Sequence, residues 1–309
     1  MNDNINPITQ KLLGLVSSWK DNFKGAYSIR QDGVCAKIES SENVTIKKKT
    51  DKPGLDIIVA PNTKNETVYI PACVSHGNID DVVYNDFFVG ENCNIEIIAG
   101  CGVHTDSHDD VRHSGIHFFH IGKNSHVVYN ENHVGTGEGS GDRVIDPITE
   151  IDMDEGSYLE MNAYQIGGVD KADRNTRVTL KENARLLINE RMLTEYEQTA
   201  NSNIYVELNG ENSVADVISH SIAKGKSKQV YYSTIVGNAK CKGHSECDSI
   251  IDGEATIDAI PRLLVTDNNA ELIHEAAIGK IAGEQILKLR TLGLTEEEAE
   301  AQIINGFLA

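Results

Sequence analysis

Apolar and polar residues exchange places at every second position over most of this chain, as in Thr67-Val68-Tyr69-Ile70 and Ile204-Tyr205-Val206-Glu207-Leu208. That period belongs to half-buried β-strands. A short motif opens many of the runs: a turn residue, a small residue, one free position, then an apolar residue. It reads Asn92-Cys93-Asn94-Ile95, Asn124-Ser125-His126-Val127, Gly156-Ser157-Tyr158-Leu159, Asn183-Ala184-Arg185-Leu186 and Asn212-Ser213-Val214-Ala215. It continues as Asn238-Ala239-Lys240-Cys241, Glu254-Ala255-Thr256-Ile257 and Asn269-Ala270-Glu271-Leu272. The later steps are half the earlier ones, and Asn201-Ser202-Asn203-Ile204 supplies one missing half-step. A unit of about 15 residues that doubles to about 30 residues predicts strand, turn, strand, turn, and a return to the same edge. The expected fold is mainly β, a right-handed parallel β-helix. In such a coil, residues one turn apart form ladders with strands roughly 4.8 Å apart.

The period changes near both ends. Leu12, Leu13, Val16 and Trp19 fall at helical spacing between Pro7 and about Asn22, with Asn6 as N-cap. Gly283 to Leu292 reads as a second helix stopped by Gly293, and Thr295-Glu296-Glu297-Glu298 as a capping box opening a third. The expected organisation is a helical segment over 1–25, a β-helix core over 26–277 and a helical segment over 278–309. Helices at the termini suit as covers for the open ends of a coil. The last one presents Ile303, Ile304 and Phe307 on one stripe, which suits a partner-docking surface as well.

Charge narrows the partners. Lys and Arg number 28 against 47 Asp and Glu, a net charge of −19, which repels nucleic acid and anionic lipid. No apolar run approaches the length of a membrane span, and the polar stretch Met1 to Pro7 has no signal pattern, so a cytoplasmic location is expected. The six cysteines (Cys35, Cys73, Cys93, Cys101, Cys241, Cys247) form no CxxC pair and read as free thiols.

Three stretches are candidates for chemistry. Cys247 lies in the strand-like run Ser245-Glu246-Cys247-Asp248-Ser249-Ile250, and His274 and Glu275 follow it at a distance close to one coil. Thiol and imidazole are therefore expected on adjacent rungs, with His220 extending the ladder upstream. Thiolate, imidazole and carboxylate together suit iron or an iron–sulfur cluster. The alternative is a buried cysteine in the stack beside a hydrogen-bonded histidine. The second stretch holds seven of the eleven histidines: His104, His108, His113, His117, His120, His126 and His133, just after Cys101. It admits a metal site at Cys101 and His104, although the spacing fits no zinc template and His117 and His120 face opposite ways on a strand. The third, Gly225-Lys226-Ser227, ends like a phosphate-binding loop but has His220 where that motif needs glycine, so no ATPase activity is expected of this chain.

These residues carry a resemblance. Glu246-Cys247-Asp248-Ser249, Ala259-Ile260-Pro261, Ile273-His274-Glu275-Ala276-Ala277-Ile278-Gly279-Lys280-Ile281 and the ending Gly293-Leu294-Thr295-Glu296-Glu297-Glu298-Ala299-Glu300 with Asn305-Gly306-Phe307 are similar to the SufB/SufD family of iron–sulfur cluster assembly proteins. The resemblance implies a parallel β-helix, dimerisation through it, and docking of a SufC-like ABC ATPase on the C-terminal helices. It implies that a transient iron–sulfur cluster is built at the dimer interface from a sulfur donor and iron. Cys247 would hold sulfide or iron, His274 would ligate iron, and Glu275 would serve as oxygen ligand or proton acceptor. The His-Glu pair places the chain nearer SufB than SufD, although Ile273 stands where SufB typically has an acid. No motif marks the family's sulfur-accepting cysteine; Cys101 and Cys93 are the open candidates. The expected function is a non-catalytic scaffold, as a homodimer or with a second SufB/SufD-type chain. Two rivals stand beside it: a histidine-rich metal-binding protein, and a β-helix carbohydrate-active enzyme, for which aromatic residues are few and paired carboxylates (Asp80-Asp81, Asp109-Asp110) are available.

Overall fold

The computed structural model describes residues 5–17, 19 and 23–308. Along the chain it runs α1 (Pro7–Val16), β1 (Ala26–Gln31), β2 (Val34–Glu39), β3 (Val44–Lys48), β4 (Gly54–Val59), β5 (Lys64–Tyr69), β6 (Ala72–Val74), β7 (Ile79–Val89), β8 (Asn94–His104), β9 (Val111–Ile121) and β10 (His126–Thr136). It continues with β11 (Arg143–Ile145), β12 (Ile148–Met153), β13 (Tyr158–Ile166), β14 (Lys171–Leu180), β15 (Arg185–Thr194), β16 (Thr199–Leu208), β17 (Val214–Ala223), β18 (Lys228–Gly237), β19 (Lys242–Ile251), β20 (Thr256–Val265), β21 (Glu271–Gly279), α2 (Gly283–Thr291) and α3 (Glu296–Phe307).

The strands wind into a mainly β solenoid of about eight turns, as the alternation predicts. Two sheets form its walls. One runs β2-β1-β5-β8-β10-β13-β15-β17-β19-β21, with β6 beside β1 and β8. The other runs β20-β18-β16-β14-β11-β9-β7-β4-β3, with β12 between β9 and β14. Asn94, His126, Tyr158, Arg185, Val214, Lys242 and Glu271 share one register position. The coils they mark are unequal in length. Neighbours in register and in hydrogen-bond contact are separated by 32 in the pair Asn130 and Asn162, and by 27 in Asn162 and Asn189. The separation is 29 for Glu190 and Ser219, and 28 for Asp216 and His244.

The recurring motif is a corner. Asn92, Asn124, Asn183 and Asn212 adopt φ between +55° and +58° and Gly156 +68°, the left-handed region that asparagine and glycine enter at least cost. The small residue that follows is packed inside the corner, as with Cys93, Ser125, Ala184 and Ser213. The serines satisfy their hydroxyls locally: Ser125 Oγ donates to the Gly90 carbonyl at 2.7 Å and Ser213 Oγ to that of Gly210 at 2.7 Å. Two motif positions differ from expectation. Asn201-Ser202-Asn203-Ile204 lies inside β16 rather than at a turn. Ahead of β19 the corner is Lys240-Cys241, just beyond Asn238-Ala239, because Asn212 N–H donates to the Lys240 carbonyl and Val214 pairs with Lys242.

The interior holds a long apolar stack, a band of buried polar groups beside it, and a smaller apolar cluster that includes Val103, Val111, Ile145 and Met192. A continuous stack that includes Ile97, Phe119, Tyr129, Leu159, Val178, Ile188, Val206 and Val217 fills the space between the sheets. Phe87 and Phe119 lie parallel with ring centroids 4.3 Å apart.

The ends are finished differently, and among the described residues neither is covered by a helix. At the first coils, β2 folds back antiparallel on β1, and β3 antiparallel on β4. The helix expected up to Asn22 ends at Val16 with Ser17 as its C-cap, Trp19 lies outside it, and residues 18 and 20–22 lie outside the described residues. That helix, α1, rests on the outer face of β8 and β10. A Cβ at Gly100 would meet the Val16 carbonyl oxygen at 2.4 Å, so only glycine admits the helix there. At the other end β20 and β21 have no strand neighbour on their far side among the described residues. Leu263 is 37% exposed, whereas its register partner Ile235, one coil earlier, is fully buried. Proline is confined to edge strands or irregular positions of sheets, and Pro261 sits in the middle of β20.

Candidate functional site

Alternation along β19 decides the site. Gly243, Ser245, Cys247 and Ser249 are buried and face inward, while His244, Glu246 and Asp248 face outward. The Cys247 Sγ lies 3.7 Å from Ser249 Oγ, which meets Ser221 Oγ at 2.9 Å. Burial pushes the Cys247 thiol above its ordinary pKa, against a weaker opposite pull from the Ser249 hydrogen bond.

His274 pairs in register with Ser245, and Ala276 with Cys247. His274 therefore falls two positions short of a full coil from Cys247, and a shift of two keeps the face. It points to the same inner side as Cys247, one strand on and two positions back. Its Nδ1 is buried with no hydrogen-bond partner. Glu275 pairs with Glu246 and faces outward. Upstream, the register partner of Cys247 is Ser219 rather than His220, and a slip of one reverses the face. His220 stands opposite Asp248 on the outer side. The structure thus brings Cys247 and His274 to one face of adjacent strands and puts Glu275 and His220 on the other.

The outer side has its own cluster. His220, Glu246 and Asp248 present one ligand atom each within 4.8 Å of one another, and so do His244, Glu246 and Glu275. Sequence reasoning misses His244 and the ligand role of the two acids on β19. The alternation in Ser245-Glu246-Cys247-Asp248 is the signal that finds them, because an inward Cys247 sends both acids outward.

Behind Cys247 the interior is lined with polar groups. Glu131, Ala163, Glu190, Ser219, Cys247 and Ala276 occupy one ladder, strand after strand. Arg174 reaches across from the opposite sheet to pair with Glu131, its Nη2 donates to His133 Nδ1 at 3.0 Å, and its Nε lies 3.6 Å from Glu190. Glu190 also accepts from Ser202 Oγ at 2.6 Å and Ser219 Oγ at 3.1 Å. Burial alone would raise Glu131, yet Arg174 and His133 hold it well below the usual carboxylate range.

The histidine-rich stretch does not converge. His113 bonds Asp81 at 3.0 Å and His117 bonds Tyr129 at 3.0 Å, both inside, while His120 faces out over Phe88. His104, at the end of β8, is held by Thr136 Oγ1 at 2.9 Å and Asp106 at 3.1 Å. Cys101 points inward and is buried, and burial followed by the nearby Glu131 charge pushes its thiol well above the ordinary value. Gly225-Lys226-Ser227 forms the corner between β17 and β18, with Ser227 buried and bonded to Thr194.

The last helix, α3, lies back on the outer face of β17. The Phe307 ring stacks on His220 with centroids 5.1 Å apart, and Lys224 pairs with Glu300 at 2.6 Å. Ile303, Ile304 and Phe307 are half-buried in this packing. Thr295 and Glu298 complete the expected capping box. By contrast α2 buries no residue, and Leu287 and Leu292 stand 61% and 75% exposed. Among the described residues no helix is long and apolar enough to cross a membrane.

A family profile described as the SUF system FeS cluster assembly, SufBD core domain, matches residues 84–307. The chain belongs to the SufBD family. It is 28% identical to an iron–sulfur cluster assembly SufBD family protein of Methanocaldococcus jannaschii over 92% of this chain and 90% of that one. A SufBD family protein of Archaeoglobus fulgidus is 33% identical over 84% of this chain and 69% of its own length. A third, from Staphylococcus saprophyticus, is 39% identical over 31% of this chain and 22% of its own. The SufBD match begins within β7 and runs through β21 and both C-terminal helices, so it contains Cys247, His274, Glu275 and the outer cluster.

Proposed function

We propose that this SufBD family chain is a scaffold on which iron–sulfur clusters are assembled, with Cys247, His274 and Glu275 as the assembly residues. The observation that carries the reading is the position of Cys247 and His274: they share the inner side of the last two strands of their sheet, at an end that nothing closes. The other buried thiols carried on strands, Cys73 and Cys101, lie in the early coils. Cys247 has only β21 between it and the open edge.

The working unit is a pair of chains. The two terminal strands of the sheets, β20 and β21, with Ile260, Leu264, Val265, Ile273 and Ile278 each more than a third exposed, form an edge and an apolar patch that a monomer does not leave bare without cost. A second copy, or a second SufB/SufD-type chain, covers it. Two-fold symmetry then supplies each ligand twice. Glu275 on the outer face reaches a shared cluster only across that contact or after β21 shifts.

A SufC-like ABC ATPase docks on the C-terminal helices through the half-buried stripe Ile303, Ile304 and Phe307 of α3, with the exposed Leu287 of α2 and Leu292 at its C-cap as further apolar surface. ATP-driven closure of that partner would strain the paired ends and open the Cys247 side to iron and to a sulfur donor, in the cytoplasm. Catalysis of ATP hydrolysis stays with the partner. Anaerobic reconstitution with iron and sulfide tests the assignment: wild type develops visible charge-transfer absorption that Cys247→Ser largely loses, and equal absorption in both refutes it. Truncation after Lys280 abolishes copurification of the ATPase if the helices dock it.

A further inference from the structure

The outer side of the same strands holds a second group of ligands with a different chemistry. His220 Nε2 lies 3.7 Å from Glu246 Oε1, too far for a hydrogen bond and close to the span between two donors on one ion. Asp248 completes the trio within 4.8 Å, and His244 with Glu275 forms a second trio through the same Glu246.

Both imidazoles are held in one tautomer. His220 Nδ1 meets the Phe307 carbonyl at 3.2 Å, and a carbonyl only accepts, so Nδ1–H donates. His244 Nδ1 donates to Asp216 Oδ1 at 2.8 Å for the same reason. In the neutral ring this leaves Nε2 of each histidine with its lone pair, and that of His220 faces Glu246. Fixing a ligating histidine through its other nitrogen is what the outer shell of metal sites does.

Among the described residues no Lys or Arg pairs with Glu246, Asp248 or Glu275: Lys224 is taken by Glu300 and Lys242 by Glu271. Arg191, in register with His220 on the adjacent strand, is the nearest outward cation along that ladder. Three carboxylates around two imidazoles, on a chain of net charge −19, draw a cation to this face.

We infer that His220, Glu246 and Asp248 bind a divalent first-row transition-metal ion on the outer face of β17 and β19, with His244 and Glu275 extending the site through Glu246. Nitrogen and oxygen donors without sulfur select iron(II), manganese(II), cobalt(II) or zinc(II) over copper(I). That the ion is iron rests on the proposed assembly function; the binding does not. Strand alternation sets the metal side chains one residue away from Cys247, on the opposite face. The last turn of α3 supplies the carbonyl that orients His220, so metal affinity and the seating of α3 are linked, each strengthening the other.

Cobalt(II) is a suitable probe. Full-length Cys247→Ser protein, in which the inner thiol cannot contribute, is titrated anaerobically and read by visible d–d absorption and equilibrium dialysis. The expected result is saturable binding that falls at least tenfold in His220→Gln and in Asp248→Asn, and measurably in Phe307→Ala, whose ring packs the histidine. None of the three side chains is fully buried, so an unchanged thermal midpoint checks the fold. Binding that is absent, or equal in wild type and in the His220→Gln/Asp248→Asn double variant, overturns the site. Cobalt binding without cluster formation leaves this inference standing and removes the assembly reading. Cluster formation in a protein that holds no cobalt does the reverse.

Discussion

The solenoid contains two sets of cysteine, histidine and glutamate, and they differ in what surrounds them. Cys101, Glu131 and His133 are buried in the early coils, where His133 pairs directly with Cys101 in register. Cys247, His274 and Glu275 stand on the last two strands of the same sheet. In the first set Arg174 ties Glu131, His133 and Glu190 into one network with strands on both sides. In the second, His274 Nδ1 has no partner and β21 is an open edge. Identical residue types are thus tied into a network in one place and lack that tie at the terminal strand in the other.

The largest expected effect breaks the first set. Arg174→Leu leaves two buried carboxylates without their cation, and losing one member of such a network costs about 3–5 kcal/mol. Urea unfolding should show it. His274→Gln, the comparable loss at the open end, should stay within about 1 kcal/mol. Equal costs would mean that the two sets play the same part.

Acid should act on the first set as well. Burial lowers His117 from 6.5 to about 4 and lowers His133 in the same direction. The unfolded chain takes up these protons near pH 6.5, whereas the folded chain holds His117 neutral down to about pH 4. The contribution is therefore complete above pH 6.5 and lost as pH falls toward 4, on the order of 3 kcal/mol for His117. Glu131, held low, adds stability that is present above the ordinary carboxylate range and lost below it. The urea midpoint should drop between about pH 7 and about pH 4.5, and His117→Phe should flatten the drop. A flat profile in wild type would contradict the network's role.

The smallest effect on stability is expected at the open edge. Ile273→Lys changes a residue that is 58% exposed, so the monomer should lose no more than about 0.5 kcal/mol. Its effect appears in light scattering, where wild type gives twice 33.8 kDa and the variant gives 33.8 kDa. A variant that still dimerises would place the contact elsewhere.

Much of this comparison is legible in the chain before folding. Alternation and the Asn or Gly corners imply the solenoid, and Cys247 with His274 are found by their separation. The outer cluster is not legible, because it depends on the length of each coil to the single residue. Cys247 stands equally far in sequence from His220 and from His274, yet its register partners are Ser219 and Ala276. One position of difference reverses His220, and two leave His274 on the inner side. Corners alone do not resolve this: the one before β19 lacks its asparagine, and Lys240 stands there instead. The course of the C-terminal helices is equally hidden. Their amphipathic stripes fit a cover at the end of the coil as well as a brace on its side, and only the contacts of Phe307 with His220 and of Glu300 with Lys224 decide for the side.

The direct test compares the two cysteines. Wild type, Cys101→Ser and Cys247→Ser are reconstituted anaerobically with iron and sulfide, desalted, and analysed for iron and acid-labile sulfide per chain. The open-end account predicts that Cys101→Ser retains wild-type amounts while Cys247→Ser retains a small fraction. Loss in Cys101→Ser with retention in Cys247→Ser would contradict it.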